Sequence, residues 1–226
     1  MICVIPARGG SKRIPRKNIV DFLGAPLISY SVRAALDSGA FERVIVSSDD
    51  DEILGVAADF GARTLKRPDE ISGDFATTAD VINHASSVSN LNDEDGVCCL
   101  YATAPLITGE ILRDAASKFD PARHAFYFSA CEFEYPIWRG FGADGAMFFP
   151  EFYASRSQDL KRAFHDAGAF YFGSVKSWRE SPIFSEKSAF YELPRRLVCD
   201  IDTPEDLEFA KVLYEINYGK NAVSRR

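Results

Sequence analysis

Histidine is scarce in this chain, with three in 226 residues, and His84, His124 and His165 form no ligand cluster. Cysteine is little more abundant. Cys3, Cys98, Cys99, Cys131 and Cys199 are odd in number and include no CxxC pair, so neither a disulfide framework nor a zinc site is expected. Most of them sit in apolar, strand-like runs, where a free thiol acts as a small hydrophobe, and a reducing, cytoplasmic setting is the natural expectation. No apolar run approaches the roughly 18 residues of a membrane span. The short stretch Ile2-Cys3-Val4-Ile5 meets Pro6 and Arg8 at once, so no secretory leader is expected. Positive charge is in deficit as well. Lysine and arginine number 26 against 33 aspartates and glutamates, a net charge of −7, which argues against broad binding to nucleic acid or anionic membranes.

What the chain does have is core-forming material: 46% hydrophobic residues and 13% aromatics. That composition excludes intrinsic disorder, and the length suits one domain, taken here as residues 1–226. Short β-branched runs alternate with helical patterns. Strands are expected at Ile2–Ile5, Val44–Val46, Arg63–Leu65, Gly96–Tyr101, Ala125–Ala130 and Gly168–Gly173. Helices are expected from Pro26 to Gly39, Asp50 to Phe60, Thr77 to Val88, after the Thr108 cap, and from Thr203 to about Tyr218. Strand, helix, strand at this spacing predicts βαβ units and a largely parallel sheet. The rhythm breaks over 132–164, a stretch rich in aromatics, glycine and proline, which reads as an arm, lid or dimer contact. Phe133, Tyr135, Trp138, Phe141, Phe148 and Phe149 would be a liability there if left exposed in a monomer. Asn221–Arg226 reads as a frayed tail.

Three segments carry chemistry. The first runs Pro6-Ala7-Arg8-Gly9-Gly10-Ser11-Lys12-Arg13-Ile14-Pro15-Arg16-Lys17-Asn18. It begins where the first strand ends, the edge at which open α/β sheets bind ligands. Its glycines let backbone N–H groups approach phosphate oxygens, and its five cations repel one another unless an anion sits among them. It matches neither the P-loop nor the dinucleotide fingerprint. An ordinary solvated basic loop would not bring glycines, cations and a strand end together.

The second segment is Asp200-Ile201-Asp202-Thr203-Pro204-Glu205-Asp206. Thr203, Pro204 and Asp206 have the form of a helix start. Asp200 and Asp202, two apart in extended chain, project from one face and suit Mg²⁺, a hard cation held by oxygens. The third comprises Arg156-Ser157-Gln158-Asp159 and His165-Asp166-Ala167-Gly168-Ala169-Phe170-Tyr171, polar and aromatic groups flanking the irregular stretch. An arginine there would meet a carboxylate, and the amide and hydroxyl groups would meet polar substituents of a sugar acid. His165 by itself reads more readily as structural than catalytic. Asp50 and Asp51, after Ser47-Ser48-Asp49, read as helix capping and dipole complement. Thr103 would either face a ligand or satisfy its own backbone.

Ile5-Pro-Ala-Arg-Gly-Gly-Ser-Lys, followed by Lys17-Asn18, Arg67-Pro68 and Asp200-Ile-Asp-Thr-Pro-Glu-Asp, resembles the signature of the acylneuraminate cytidylyltransferases, which activate sialic-acid-type sugars. The resemblance runs from Ile2 to about Tyr214. The Arg156-Ser-Gln-Asp-Leu and His165-Asp-Ala-Gly segments resemble the pseudaminic-acid branch in particular, from which Ala102 (usually Pro) and Ala169 (usually Gln) depart.

The resemblance implies a Rossmann-like nucleotide-diphospho-sugar transferase fold, a mostly parallel sheet flanked by helices, with a protruding dimerisation arm at 132–164 and a homodimer. It implies the reaction CTP plus a nonulosonic acid, pseudaminic acid, giving CMP-sugar plus pyrophosphate, for surface glycan or flagellin glycosylation. A sialic- or legionaminic-acid enzyme, a nucleotide-sugar-consuming glycosyltransferase and an inactive homologue are the alternatives. By the same resemblance Ala7, Arg8, Gly9, Gly10, Ser11, Lys12, Lys17, Asn18 and Arg67 line the nucleotide site, with Arg67 near the cytosine. Arg8, Lys12, Lys17 and Asp202 carry catalysis, Mg²⁺ sits on Asp200 and Asp202, and Thr103, Arg156, Gln158, Asp159, His165 and Tyr171 serve the sugar.

Overall fold

The computed structural model describes residues 1–73 and 75–219, and the tail expected at Asn221–Arg226 lies outside them. In chain order the elements are β1 (Ile2–Pro6), β2 (Asp21–Phe22), β3 (Ala25–Pro26), α1 (Leu27–Ser38), β4 (Arg43–Ser48), α2 (Asp51–Asp59), β5 (Arg63–Lys66), α3 (Thr78–Val88), β6 (Gly96–Leu100), α4 (Gly109–Lys118), β7 (Phe126–Glu132), β8 (Phe164–Ser174), α5 (Val175–Glu180), β9 (Ala189–Glu192) and α6 (Pro204–Tyr218). Seven strands form one sheet in the order β5-β4-β1-β6-β8-β7-β9. β5, β4, β1 and β6 pair in parallel, as do β7 and β9, whereas β8 runs antiparallel to both its neighbours. The expected mostly parallel sheet flanked by helices is therefore present, with one reversed strand in its middle.

The alternation of side chains along each strand fills two cores. Cys3 and Ile5 of β1 and Cys98 and Leu100 of β6 join Ile28, Val32, Ile53 and Leu112 from α1, α2 and α4 on one face. Ile2, Val4, Val97 and Cys99 point the other way, toward Ile82 and Ala85 of α3 and Val175 and Trp178 of α5. A strand buried on both faces must be apolar at every position, which is why these runs are continuous rather than alternating. Burial pushes the thiols of Cys98 and Cys99 well above their ordinary range, so they serve packing rather than nucleophilic chemistry.

Caps set the helix starts. Asp50, Thr77, Thr108 and Thr203 cap α2, α3, α4 and α6, and Thr77 and Thr203 form reciprocal boxes with Asp80 and Asp206. A third core lies beneath α6. Phe22, Tyr30 and Tyr214 meet edge to face with centroids 5.0–5.7 Å apart, beside Leu27, Leu207 and the fully buried Ile201. This cluster pins the segment before α6 against the β2–β3 hairpin, with Ile201 as its anchor.

The β2–β3 hairpin, α5 and β9 are not among the elements read from the sequence. β9 forms through tertiary pairing: Ala189–Glu192 lies along Tyr127–Ala130, and Phe190 packs on Phe128 and Phe164. β8 is longer than Gly168–Gly173 and begins at Phe164, directly opposite Glu132. Between them, 133–163 leaves the sheet as three 3-10 turns and a Phe141–Met147 bridge. Trp138 packs on Phe149 and Phe152 and donates from Nε1 to the Lys161 carbonyl at 2.7 Å, while Tyr135, Phe141, Phe148 and Tyr153 stay exposed.

The β7–β8 pairing slips within one step. Phe128 faces Tyr171, yet Ala130 faces Asp166, so Ala167, Gly168 and Ala169 bulge out of β8. Gly168 turns this bulge at φ +62°, a region that a side chain would oppose. The fully buried Ser129 compensates: its Oγ accepts from the Ala169 and Phe170 N–H groups at 3.2 and 3.1 Å. Replacing Ser129 by Ala leaves two buried donors without an acceptor and should cost about 1–3 kcal/mol per unsatisfied group. Urea unfolding of Ser129→Ala should show a lowered midpoint with unchanged slope. An unchanged midpoint would mean that solvent reaches the bulge.

Candidate active site

A cleft of about 580 Å³ opens along the carboxyl ends of β1, β5 and β6, lined by Arg8, Ser11, Lys12, Arg13, Lys17, Asn18, Arg67, Thr77, Thr78, Tyr101, Thr103, Asp200 and Asp202, among others. Strand geometry places these groups. The chain leaves β1 at Pro6, and Ala7 is still held to the sheet by its N–H on the Ser47 carbonyl at 3.0 Å. The basic segment then crosses the sheet edge. Asn18, almost fully buried, donates from Nδ2 to the Arg8 carbonyl at 2.9 Å and closes the segment into a loop.

Gly9 donates its N–H to Asp49 at 2.9 Å, and a Cβ at Gly9 would lie 2.8 Å from an Asp50 carboxylate oxygen. Only glycine lets the loop lie this close to the start of α2. Ala7, Gly9 and Gly10 thus shape the loop, whereas Arg8, Ser11, Lys12, Lys17 and Asn18 line the cleft itself.

The opposite wall comes from the other end of the chain. Ile201 is buried in the third core, so Asp200 and Asp202 on either side of it face the cleft, as the two-residue spacing predicts. Lys17 Nζ donates to the Ile201 carbonyl at 2.7 Å and to Asp202 Oδ1 at 3.1 Å, and Arg13 Nη2 meets Asp202 Oδ2 at 2.7 Å. The sequence reading has the five cations repelling one another until an external anion arrives. The fold instead supplies carboxylates of its own, Asp202 for Arg13 and Lys17, and Asp50 with Glu52 for Arg16.

The electrostatics follow. Burial works to raise Asp202, but the hydrogen bond and charge of Lys17 together with Arg13 outweigh it and hold the carboxyl below its ordinary range. For Asp200, burial first and the Asp202 charge second push the carboxyl up. Among the described residues, no group of three or more His, Cys, Asp or Glu side chains could hold a metal ion. The two carboxylates in the cleft are oxygen donors of the kind that hard cations take.

Arg67 is 5% exposed. Its Nη2 donates to the Ser47 carbonyl at 2.7 Å, and its Nε has no partner among the described residues. Burial lowers its pKa, with Asp49 opposing that effect. On the far side of the cleft Tyr101 joins Thr78 at 3.2 Å and packs on Tyr171 with centroids 5.5 Å apart. Tyr171, placed on the sugar side by the sequence, is buried beneath Tyr101 and donates its hydroxyl to Asp166 at 2.6 Å. Asp166 also takes the Gly168 N–H at 2.9 Å, so the β8 bulge holds it in place. Sequence reasoning did not single out Asp166; its place in the His165-Asp166-Ala167-Gly168 run was the available signal.

The other sequence-predicted residues stand elsewhere. Thr103 lines the cleft. Arg156 and Asp159 pair with each other at 2.7 Å on a 3-10 turn, and Gln158 lines a hollow of about 360 Å³ beside Glu132 and Arg162. His165 lines a further hollow of about 530 Å³ with Glu134, Tyr135 and Arg195. Within one chain these four lie along the root of the 133–163 segment and not in the main cleft. That root occupies the same sheet edge as the cleft, because β7 runs parallel to β1 and β6 through the reversed β8.

Known proteins resemble this chain throughout its length. A family model described as "Cytidylyltransferase" matches residues 2–223. The pseudaminic acid cytidylyltransferase of Campylobacter jejuni subsp. jejuni serotype O:2 is 53% identical, over 96% of this chain and 97% of its own. N-acylneuraminate cytidylyltransferase A of Danio rerio is 32% identical, over 96% of this chain and 52% of its own. A solved CMP:2-keto-3-deoxy-manno-octonic acid synthetase complexed with CTP shares the fold, with TM-score 0.72 at 17% identity over 96% of this chain and 98% of that one.

The pairing of Asp202 has a measurable consequence. Its folded carboxyl lies below the ordinary 3.8, so its pairing stabilises the fold above that value and fades as pH falls through the lower folded one. In Lys17→Met and in Arg13→Met the Asp202 carboxyl should titrate at higher pH, read by carbon-13 NMR of the carboxylate. A midpoint that neither substitution moves would show that these cations do not set its charge.

Proposed function

The chain belongs to the cytidylyltransferase family of nucleotidyltransferases, and from that premise we propose that it activates a nonulosonic acid, pseudaminic acid, as its CMP derivative. The observation that carries this reading is the cleft at the strand ends, where Arg8, Lys12, Arg13 and Lys17 face two carboxylates. A triphosphate needs that arrangement, and the 53% identity to the Campylobacter protein supplies the sugar class.

In the proposed reaction the anomeric hydroxyl of the sugar attacks the α-phosphorus of CTP and gives up its proton as the new P–O bond forms. The bond from that phosphorus to the oxygen bridging to the β-phosphorus breaks, and pyrophosphate leaves. Both substrates are anions, so their approach depends on screening and positioning, as in phosphoryl transfer generally. Arg8, Lys12 and Lys17 bind the triphosphate and neutralise the charge that accumulates on the departing pyrophosphate. Ser11, Asn18 and the glycine-shaped loop orient the nucleotide, and Arg67, which lines the cleft, takes the cytosine side. Asp200 and Asp202 would hold Mg²⁺, which supplies charge neutralisation at phosphate oxygens when bound.

The sugar side divides between Thr103 in the cleft, Tyr171 beneath Tyr101, and Arg156, Gln158, Asp159 and His165 along the root of the arm. The exposed aromatic face of that arm supports a homodimer in which 133–163 packs on a second copy. The free cysteines, and the absence among the described residues of a helix long and apolar enough to cross a membrane, fit a cytoplasmic enzyme.

Pyrophosphate release measured over a panel of sugars, with UTP as the nucleotide control, tests the reading. Turnover with CTP and pseudaminic acid should exceed that with N-acetylneuraminate or legionaminic acid, and UTP should support little. Equal or reversed rates would assign the protein to another sugar, and release of free CMP from an added CMP-sugar, with no pyrophosphate formed from CTP, would indicate a glycosyltransferase. Asp202→Asn should lower turnover about 10²-fold or more, as expected when a charged group acting on the transition state is removed. Unchanged turnover would remove Asp202 from the reaction.

A further inference from the structure

Of the five cations in the loop, Arg8, Lys12, Arg13 and Lys17 line the cleft and Arg16 does not. Arg16 binds Asp50 with both terminal nitrogens, Nη1 to Oδ2 at 2.6 Å and Nη2 to Oδ1 at 3.0 Å, and Nη2 also meets Glu52. It does so from a left-handed backbone conformation, φ 57° and ψ 34°, which L-residues with side chains seldom adopt. We propose that Arg16 is a positioning residue: through Asp50 it fixes the loop that presents Arg13 and Lys17 to the triphosphate. This inference rests on the cytidylyltransferase reading above.

Asp50 is suited to be the anchor. Its Oδ1 caps α2, accepting from the Glu52 and Ile53 N–H groups at 3.0 and 3.1 Å, so its carboxylate is fixed to a rigid helix start. Its side chain is only 18% exposed and fills the space that a Cβ on Gly9 would occupy. The residue before it, Asp49, takes the Gly9 N–H. The β4–α2 junction therefore grips the loop at its start, at Gly9, and near its end, at Arg16.

The second anchor of the loop is Asp202, which holds Arg13 and Lys17. That anchor competes with the substrate, because a triphosphate drawing on the same two cations takes them from Asp202. With those two cations on the triphosphate, the grip of the β4–α2 junction remains, and of its two contacts Gly9–Asp49 holds the start of the loop while Arg16–Asp50 holds its end, directly before Lys17. Loss of the pair should therefore weaken triphosphate binding far more than it weakens the fold, since Arg16 itself is 41% exposed.

The experiment is a double-mutant cycle read by calorimetric CTP binding, with melting temperature and the KM for the sugar as controls. Asn at position 50 keeps a good helix cap while removing the charge, so Asp50→Asn isolates the pair from the cap. Arg16→Met and Asp50→Asn should each weaken CTP binding about tenfold or more, since displacing a binding group by ~1 Å costs up to about 10²-fold. Arg16→Met/Asp50→Asn should be no weaker than either single variant, Arg16→Lys should recover part of the loss, and melting temperature and sugar KM should stay near wild type. CTP affinity within twofold of wild type in Arg16→Met, or losses that multiply in the double variant, would overturn the inference. Wild type is titrated first. No CTP binding there would overturn the functional reading, and the inference with it, whereas normal wild-type binding with unaffected variants overturns the inference alone.

Discussion

Lys17 ties together two ends of the chain. Its ammonium reaches across to the Ile201 carbonyl and the Asp202 carboxylate, with Arg13 on the other oxygen of the same carboxylate. The cleft depends on this contact, because one wall comes from the loop after β1 and the other from the segment before α6. Each wall has a root of its own: the loop in hydrogen bonds, from Ala7 to Ser47 of β4 and from Asn18 to the Arg8 carbonyl, and the carboxylates in the aromatic core through Ile201. In a chain of net charge −7 the cationic loop thus meets carboxylates of the fold itself, Asp202 on Arg13 and Lys17 and Asp50 with Glu52 on Arg16.

The reversed strand β8 gives the sheet edge its second half. By running antiparallel between β6 and β7 it brings its own start, and the end of β7, to the edge where β1 and β6 finish. The root of the 133–163 segment therefore lies along the same edge as the main cleft. The bulge at Ala167–Ala169 then sets Asp166 against Tyr171, and through Tyr101 it reaches the cleft wall. Burial raises the pKa of both Tyr101 and Tyr171, so both phenols stay neutral hydrogen-bonding groups.

Much of this was legible in the residues themselves. The continuous apolar runs of β1 and β6, the caps at Asp50, Thr108 and Thr203, and the outward pair Asp200 and Asp202 each follow from local sequence that the fold preserves. The direction of β8 was not legible, since a buried strand reads the same whichever way it runs. β9 exists because Tyr127–Ala130 offers it an edge, and the Arg16–Asp50 pair joins residues 34 apart. Nothing in a linear pattern reports such partners. Ser129 is the same kind of case: its hydroxyl has meaning only opposite a bulge that another strand makes. Arg156, Gln158, Asp159 and His165 flank the irregular stretch in sequence, and the fold sets them along the root of the 133–163 segment.

The central claim is that the cations of this cleft are built for a chain of phosphates. Calorimetric titration of CTP, CDP and CMP into the same protein, at low and at raised ionic strength, tests it most directly. The account predicts that affinity falls with each phosphate removed, and that added salt weakens CTP more than CMP, because more paired charge is lost. CMP binding as tightly as CTP, with the same salt dependence, would contradict it.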